Sequence, residues 1–213
     1  MQNFEHRRDR FEAFCRFDNP IINIGMNLSV PDFRPYCKAR QIPPFHFFLY
    51  CLLHSVRGID NFMYRILDGE VIKVDRLYGA FTVLNLDNNL NYARFTMSDE
   101  LDEFIERSVA AGAIARASRA LINSGDDLSP RERKNNVYTT CLPWLDMTAI
   151  EHPIYRHREA DIPLVAWGKF SAPDGPVMRL PFSVQAHHGF VDGYHIHQLG
   201  AALSARIAAQ LAS

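Results

Sequence analysis

The segment Val177–His187 constrains the fold more than any other stretch of the chain. Met178, Leu180, Phe182, Val184 and Ala186 alternate with more polar residues, and a period of two is the signature of a strand with one apolar face. The strand runs into Gln185-Ala186-His187-His188-Gly189-Phe190-Val191-Asp192-Gly193-Tyr194. A helix then follows, with Ile196, Leu199, Leu203, Ile207 and Leu211 on one face. A strand that passes so quickly into an amphipathic helix implies a sheet with helices packed on it. By period two, His188 falls on the apolar face and His187 on the other. An imidazole at the end of an apolar strand is held rigidly at the edge of a cleft. Burial there disfavours the charged ring, which suits a general base. Gly193 permits a positive φ.

The histidine pair has other readings. Adjacent histidines at a strand end can be purely structural or face solvent. Metal binding is a further alternative, because His187, His188, His195, His197 and Asp192 are close in sequence. Two rings on opposite faces of a strand do not easily share one ion.

The remaining pattern alternates helices with strands. Phe4, Arg7, Arg8, Phe11, Phe14 and Cys15 have helical spacing, and Asn19-Pro20 ends that helix. Ile22, Ile24, Met26 and Leu28 predict a half-buried strand. Pro43-Pro44 opens a helix carrying Phe45, Phe48, Leu49, Leu52, Leu53 and Val56, which stops at Gly58. Asp68-Gly69, between Phe62–Ile66 and Val71–Val74, predicts a hairpin. A strand follows at Tyr78–Leu86, and Ser98 caps a helix beginning at Asp99-Glu100. Residues 123–136 form a polar loop too short to divide domains. Further strands are predicted at Val137–Cys141, Met147–Ile150 and Leu164–Phe170. Hairpins mixed with helices imply an α+β fold, an antiparallel or mixed sheet covered by helices.

At 213 residues the chain suits a single domain spanning 1–213. A formal net charge of -1 gives no electrostatic case for nucleic acid or an acidic membrane surface. The basic clusters at His6-Arg7-Arg8 and Arg131–Lys134 read as solvated faces. Cys15, Cys37, Cys51 and Cys141 form no C-x-x-C pair. With no apolar signal segment at the N-terminus, reduced thiols in the cytoplasm are expected. The longest apolar stretch, Phe45–Val56, is too short to span a bilayer.

His187-His188-Gly189-Phe190-Val191-Asp192-Gly193 matches the H-H-x-x-x-D-G signature of three groups. These are the chloramphenicol acetyltransferases, the acyltransferase cores of 2-oxo acid dehydrogenase complexes, and peptide-synthetase condensation domains. Size and further segments select the first. Arg7–Phe14 is similar to that family's W-x-R-x-x-H-F-E-x-[FY], and Pro44-Phe45 to the start of its second helix. Phe62–Val71 resembles its F-R-x-x-x-x-D-G-E-[LV] hairpin. Leu142-Pro143-Trp144 resembles N-P-W, and Trp167-Gly168-Lys169-Phe170 resembles x-G-K-[YF]. The resemblance implies a two-layer sandwich with a largely antiparallel sheet. It also implies a homotrimer with active sites shared between neighbouring subunits.

By that resemblance the chain transfers an acetyl group from acetyl-CoA, a co-substrate and not a resident cofactor, to a hydroxyl of a small molecule, chloramphenicol by default. His188 becomes the general base, Asp192 and Arg7 a supporting ion pair, and Thr140 the oxyanion donor where the family has serine, with Thr139 its rival. Trp144, Lys169 and Phe170 fall to coenzyme A, Lys169 near a phosphate. Phe14 falls to the wall of the acceptor pocket. Ala166 departs from a family threonine that positions a water, and Ala13 from an aromatic. The family's leading strand has no counterpart, and residues 86–135 match nothing in it. The alternatives are a catalytically weak trimer that binds an acyl-CoA or small ligand without turning it over, and an acyltransferase for a different hydroxylated acceptor.

Overall fold

The computed structural model describes residues 2–154 and 160–213. The chain begins with α1 (Gln2–Glu5) and α2 (Arg8–Phe14), followed by β1 (Ile21–Pro31), α3 (Arg34–Arg40) and α4 (Pro44–Arg57). A 3-10 turn at Asp60–Met63 leads into the hairpin β2 (Tyr64–Leu67) and β3 (Glu70–Lys73). Then come β4 (Tyr78–Leu84), β5 (Leu90–Thr96), α5 (Leu101–Ala117) and α6 (Pro130–Arg133). The chain finishes with β6 (Asn136–Cys141), β7 (Leu164–Trp167), β8 (Val177–His187) and α7 (Gly193–Leu211). The main sheet has the order β1-β8-β7-β6-β4-β5. It is parallel across β4, β6 and β7 and antiparallel elsewhere, so the fold is α+β with a mixed sheet.

The central helix is α4. Its apolar spacing predicts one buried side, yet every residue from Phe47 to Val56 is buried. It packs on α5 and α7, and Phe48 meets Trp167 of the sheet at 5.0 Å between ring centroids. Each large apolar side chain enclosed this way contributes about 1.5–3 kcal/mol. The other face of the sheet is polar. Ser183 Oγ donates to Asn23 Oδ1 (2.9 Å), and the Gln185 amide exchanges hydrogen bonds with the backbone of His152.

Several expectations need correction. The first helix is broken at His6-Arg7, where Arg7 N donates to Phe4 O (2.8 Å); the turn carries the Arg7 side chain inward. Residues 147–150 are not a strand. They lie over the polar face, where Asn23 Nδ2 donates to Ile150 O. The helix predicted from Asp99 begins at Leu101, and its N-cap Glu100 makes no side-chain cap. Ser98 instead accepts from Glu100 N and donates to the Glu103 carboxylate, bracing the approach to the helix. The polar loop 123–136 contains α6, held by a Ser129–Glu132 capping box. The strand starting at Leu164 ends at Trp167, three residues early. Asp68 and Gly69 have φ of 52° and 81°, the pair of positive values a tight type I′ hairpin requires. Gly193 shows no positive φ and serves as the first residue of α7.

Candidate active site

The two histidines sit where β8 ends. His187 is the last strand residue, and His188 N donates to Pro20 O (2.7 Å), which turns the chain off the sheet. Period two therefore stops applying one residue before His188. The buried imidazole is His187, only 3% exposed. Burial pushes it down to about 4, with the neighbouring His188 adding to the effect. His188, by contrast, is half-buried. The His187 ring packs on Phe11 and Phe190, and its Nδ1 accepts from Gly189 N (3.1 Å).

His188 is oriented in another way. Its Nδ1 lies 3.0 Å from Val191 O. A carbonyl oxygen only accepts, so in the neutral ring the proton belongs on Nδ1 and Nε2 is the free acceptor. The ring stacks on Phe14, with centroids 3.9 Å apart and planes inclined by 29°. Phe14 thus lies directly on the imidazole, at the end of α2.

Arg7 and Asp192, far apart in sequence, form an ion pair at 3.0 Å. The guanidinium also donates to Gly189 O (3.0 Å) and His188 O (3.3 Å), so one side chain grips the whole turn after β8. Asp192 caps α7 by accepting from Tyr194 N (3.0 Å), and its carboxylate is 2.9 Å from His195 Nδ1. Burial works to raise its pKa, but His195 and Arg7 outweigh that and hold the carboxyl below the ordinary aspartate range. Asn61 Nδ2 closes the turn by donating to Phe190 O (2.7 Å).

A second group of residues lies across the sheet. Thr139 is buried and donates its hydroxyl to Ala80 O (2.8 Å), so the rival threonine is engaged in the core. Thr140 faces the polar side and is partly exposed. Its Oγ1 is 3.0 Å from Thr82 Oγ1 of β4, and its neighbour in register on β7 is Ala166. Beyond Cys141 the chain folds over Gly168: Lys169 N donates to Leu145 O (2.8 Å). A Cβ at Gly168 would come within 2.6 Å of that same carbonyl, so only glycine lets the two segments touch. The contact joins the Trp144 segment to Lys169. Trp144 is 59% exposed, and Lys169 is exposed. Lys169, Phe170 and Arg179 line a groove of about 440 Å³. Phe170 is anchored edge-on against Phe33 and Phe48 at 5.6 and 5.3 Å.

The structure thus gathers His188, Asp192, Arg7 and Phe14 into one corner and Thr140 into the polar face of the sheet. It puts Trp144, Lys169 and Phe170 around the 142–145 and 168–170 segments. The sequence reading missed three contributors. The Val191 carbonyl is backbone and carries no side-chain signature. The Gly189 N to His187 bond depends on a turn that periodicity does not describe. Thr82, 58 residues from Thr140, is one threonine among many in strands.

The family model described as chloramphenicol acetyltransferase matches residues 2–203. A chloramphenicol acetyltransferase of Bacillus pumilus is 23% identical over 90% of this chain and 85% of its own length. Chloramphenicol acetyltransferase 3 of Escherichia coli is 25% identical over 89% and 87%. A solved chloramphenicol acetyltransferase superposes with a TM-score of 0.78 at 21% identity, covering 94% of both chains.

Proposed function

The chain belongs to the chloramphenicol acetyltransferase family, and we propose that, as an acyltransferase, it moves the acetyl group of acetyl-CoA onto a hydroxyl of a small molecule, chloramphenicol by default. The whole chain acts as one catalytic domain, a helix layer on a sheet layer. His188 Nε2 takes the acceptor proton as the hydroxyl oxygen attacks the thioester carbonyl carbon. The carbonyl oxygen becomes an oxyanion, to which Thr140 donates. Collapse of the tetrahedral intermediate expels the coenzyme A thiolate, which takes up the proton held by His188. The observation that carries this reading is the 3.0 Å approach of His188 Nδ1 to Val191 O beside the Phe14 stack, which in the neutral ring leaves Nε2 as the acceptor. Direct transfer, without an acyl-enzyme, is supported by the thiols. Burial pushes Cys37, Cys51 and Cys141 up to about 12, so they stay protonated and weakly nucleophilic at neutral pH. Their free state also suits the cytoplasm. Trp144, Lys169 and Phe170 are assigned to coenzyme A, with Lys169 toward a phosphate and Arg7–Asp192 bracing the base. Phe14 walls the acceptor pocket. In a cell, acetylation of chloramphenicol would read out as antibiotic resistance.

Sheet geometry supports a site shared between subunits, and the family resemblance makes the assembly a trimer. Thr140 is in register with Ala166, and Ala166 with Ser183 of β8. His187 lies four residues beyond Ser183, about 13 Å along the strand, and β8 is two strands from β6, roughly 10 Å. A base and an oxyanion donor serving one carbon must both lie close to it. This supports a homotrimer in which His188 of one subunit faces Thr140 of the next. Light scattering should give three times the 24.4 kDa chain mass; a monomer would overturn the shared site.

Ala166, which offers no hydroxyl beside Thr140, favours one second reading: a trimer that binds an acyl-CoA without turning it over. Thiol release from acetyl-CoA, with and without chloramphenicol, separates the two. Chloramphenicol-dependent release supports the enzyme. Release only with another hydroxylated compound changes the acceptor, and no release with any of them leaves the binding protein.

A further inference from the structure

We propose that Thr82 is a positioning residue that aims the Thr140 hydroxyl at the reacting carbonyl. This rests on the reading of Thr140 as the oxyanion donor and deepens it. The two hydroxyl oxygens are 3.0 Å apart, so they share one hydrogen bond in which either can donate. A hydroxyl has a single proton. If Thr140 spends its proton on Thr82, none is left for an oxyanion. If Thr82 donates, the Thr140 proton is free to turn toward the substrate, and the accepted bond polarises the Thr140 O–H, strengthening what it gives. The developing negative charge on the carbonyl oxygen selects the second arrangement.

The setting fits this role. Thr82 and Thr140 stand on adjacent strands β4 and β6, both on the polar face of the sheet. Both are β-branched, so their rotamers are restricted and the pair needs little reorganisation. On the opposite flank of Thr140 stands Ala166, which has nothing to donate or accept. Thr139, the next residue, has its hydroxyl tied to Ala80 O. Among the described residues, the side chain that can set the direction of the Thr140 proton is therefore Thr82.

The test is a double-mutant cycle with Thr82→Val, Thr140→Val and both together, with Thr82→Ser as the conservative variant. Valine keeps the shape and β-branching of threonine and removes only the hydroxyl. Thermal melts check that each variant folds, and Thr82→Ala serves if valine does not. Thr140→Val should lower kcat on the order of 10²-fold or more. Thr82→Val should lower kcat roughly three- to tenfold with KM for both substrates unchanged. Thr82→Ser should restore it, and in the Thr140→Val background Thr82→Val should cost nothing further. An unchanged kcat in Thr82→Val beside a large loss in Thr140→Val overturns the positioning role and leaves the oxyanion donor standing. So does a Thr82→Val loss that persists undiminished once Thr140 is valine. A silent Thr140→Val overturns the donor itself, and the role of Thr82 with it.

Discussion

The corner that holds His188 and the sheet face that holds Thr140 are built in opposite ways. The His188 turn is gripped from several directions: Val191 O fixes the ring, Phe14 covers it, Arg7 holds two carbonyls and Asp192, and Asn61 and Pro20 secure the flanks. Among the described residues, Thr140 has a single hydroxyl partner and an alanine beside it. A base has to meet a proton at one point in space, so its orientation is settled before substrate arrives. An oxyanion donor must keep its proton uncommitted until charge develops, and a crowded network would consume it.

The sharpest way to break this contrast is to remove the proposed base. His188→Ala should lower acetyl transfer by roughly 10²–10⁴-fold with the fold intact. His187→Ala should keep activity within about tenfold, because its ring is buried among Phe11 and Phe190, and should instead lower the melting temperature. Thiol-release kinetics and thermal melts on both variants decide the matter; the reverse pattern would put the base on the wrong ring.

Next in size is the grip on the turn. Arg7→Ala or Asp192→Ala lets the imidazole drift, and a displacement near 1 Å costs on the order of 10²-fold in kcat. The double variant should be little worse than either single, since the two residues act as one unit. The Asp192 side chain is 34% exposed and that of Arg7 15%, so the stability loss should be about 1–3 kcal/mol, short of a fully buried pair. Additive kinetic losses would mean the two residues act separately.

The smallest effect is on acid stability. His187 sits at about 4 when folded, below the usual value near 6.5. Its contribution is therefore complete above about pH 6.5 and is lost as pH falls toward 4, on the order of 2–3 kcal/mol. Burial lowers His46 and His54 to about 4 as well, with Arg116 and Arg57 respectively adding to the effect. Melting temperatures should decline between pH 6.5 and 4, and His187→Asn should shrink that decline. An identical acid profile in the variant would remove His187 from the account.

The sequence made the fold legible where one periodicity runs unbroken. The alternation of β8, the apolar stripe of α7 and the Asp-Gly turn all appear where the pattern puts them. It was illegible where geometry depends on partners. Period two placed His188 on the buried side, but a turn anchored by Pro20 O leaves that role to His187. Arg7 shows helical spacing, yet a turn that interrupts the helix aims it at Asp192. Strand β5 and helix α3 escaped notice because neither has a long clean alternation. Of the candidate residues, those in the His188 corner meet as the resemblance implied, although no local rule joins Arg7 to Asp192.

That ion pair closes a loop of 185 residues, and the β1–β8 pairing of Ile21 with His187 closes nearly the same one. Contacts of such span are the last a chain can afford entropically, because almost everything between their ends must already be compact. The His188 imidazole is therefore held in this orientation only when both ends of the chain are docked. A nascent chain still lacking α7, or one whose N-terminal turn has frayed, carries His188 or Arg7 without the geometry that makes either useful. Activity should therefore return on refolding only as the two ends of the chain dock, and activity that recovers before that docking would overturn this expectation.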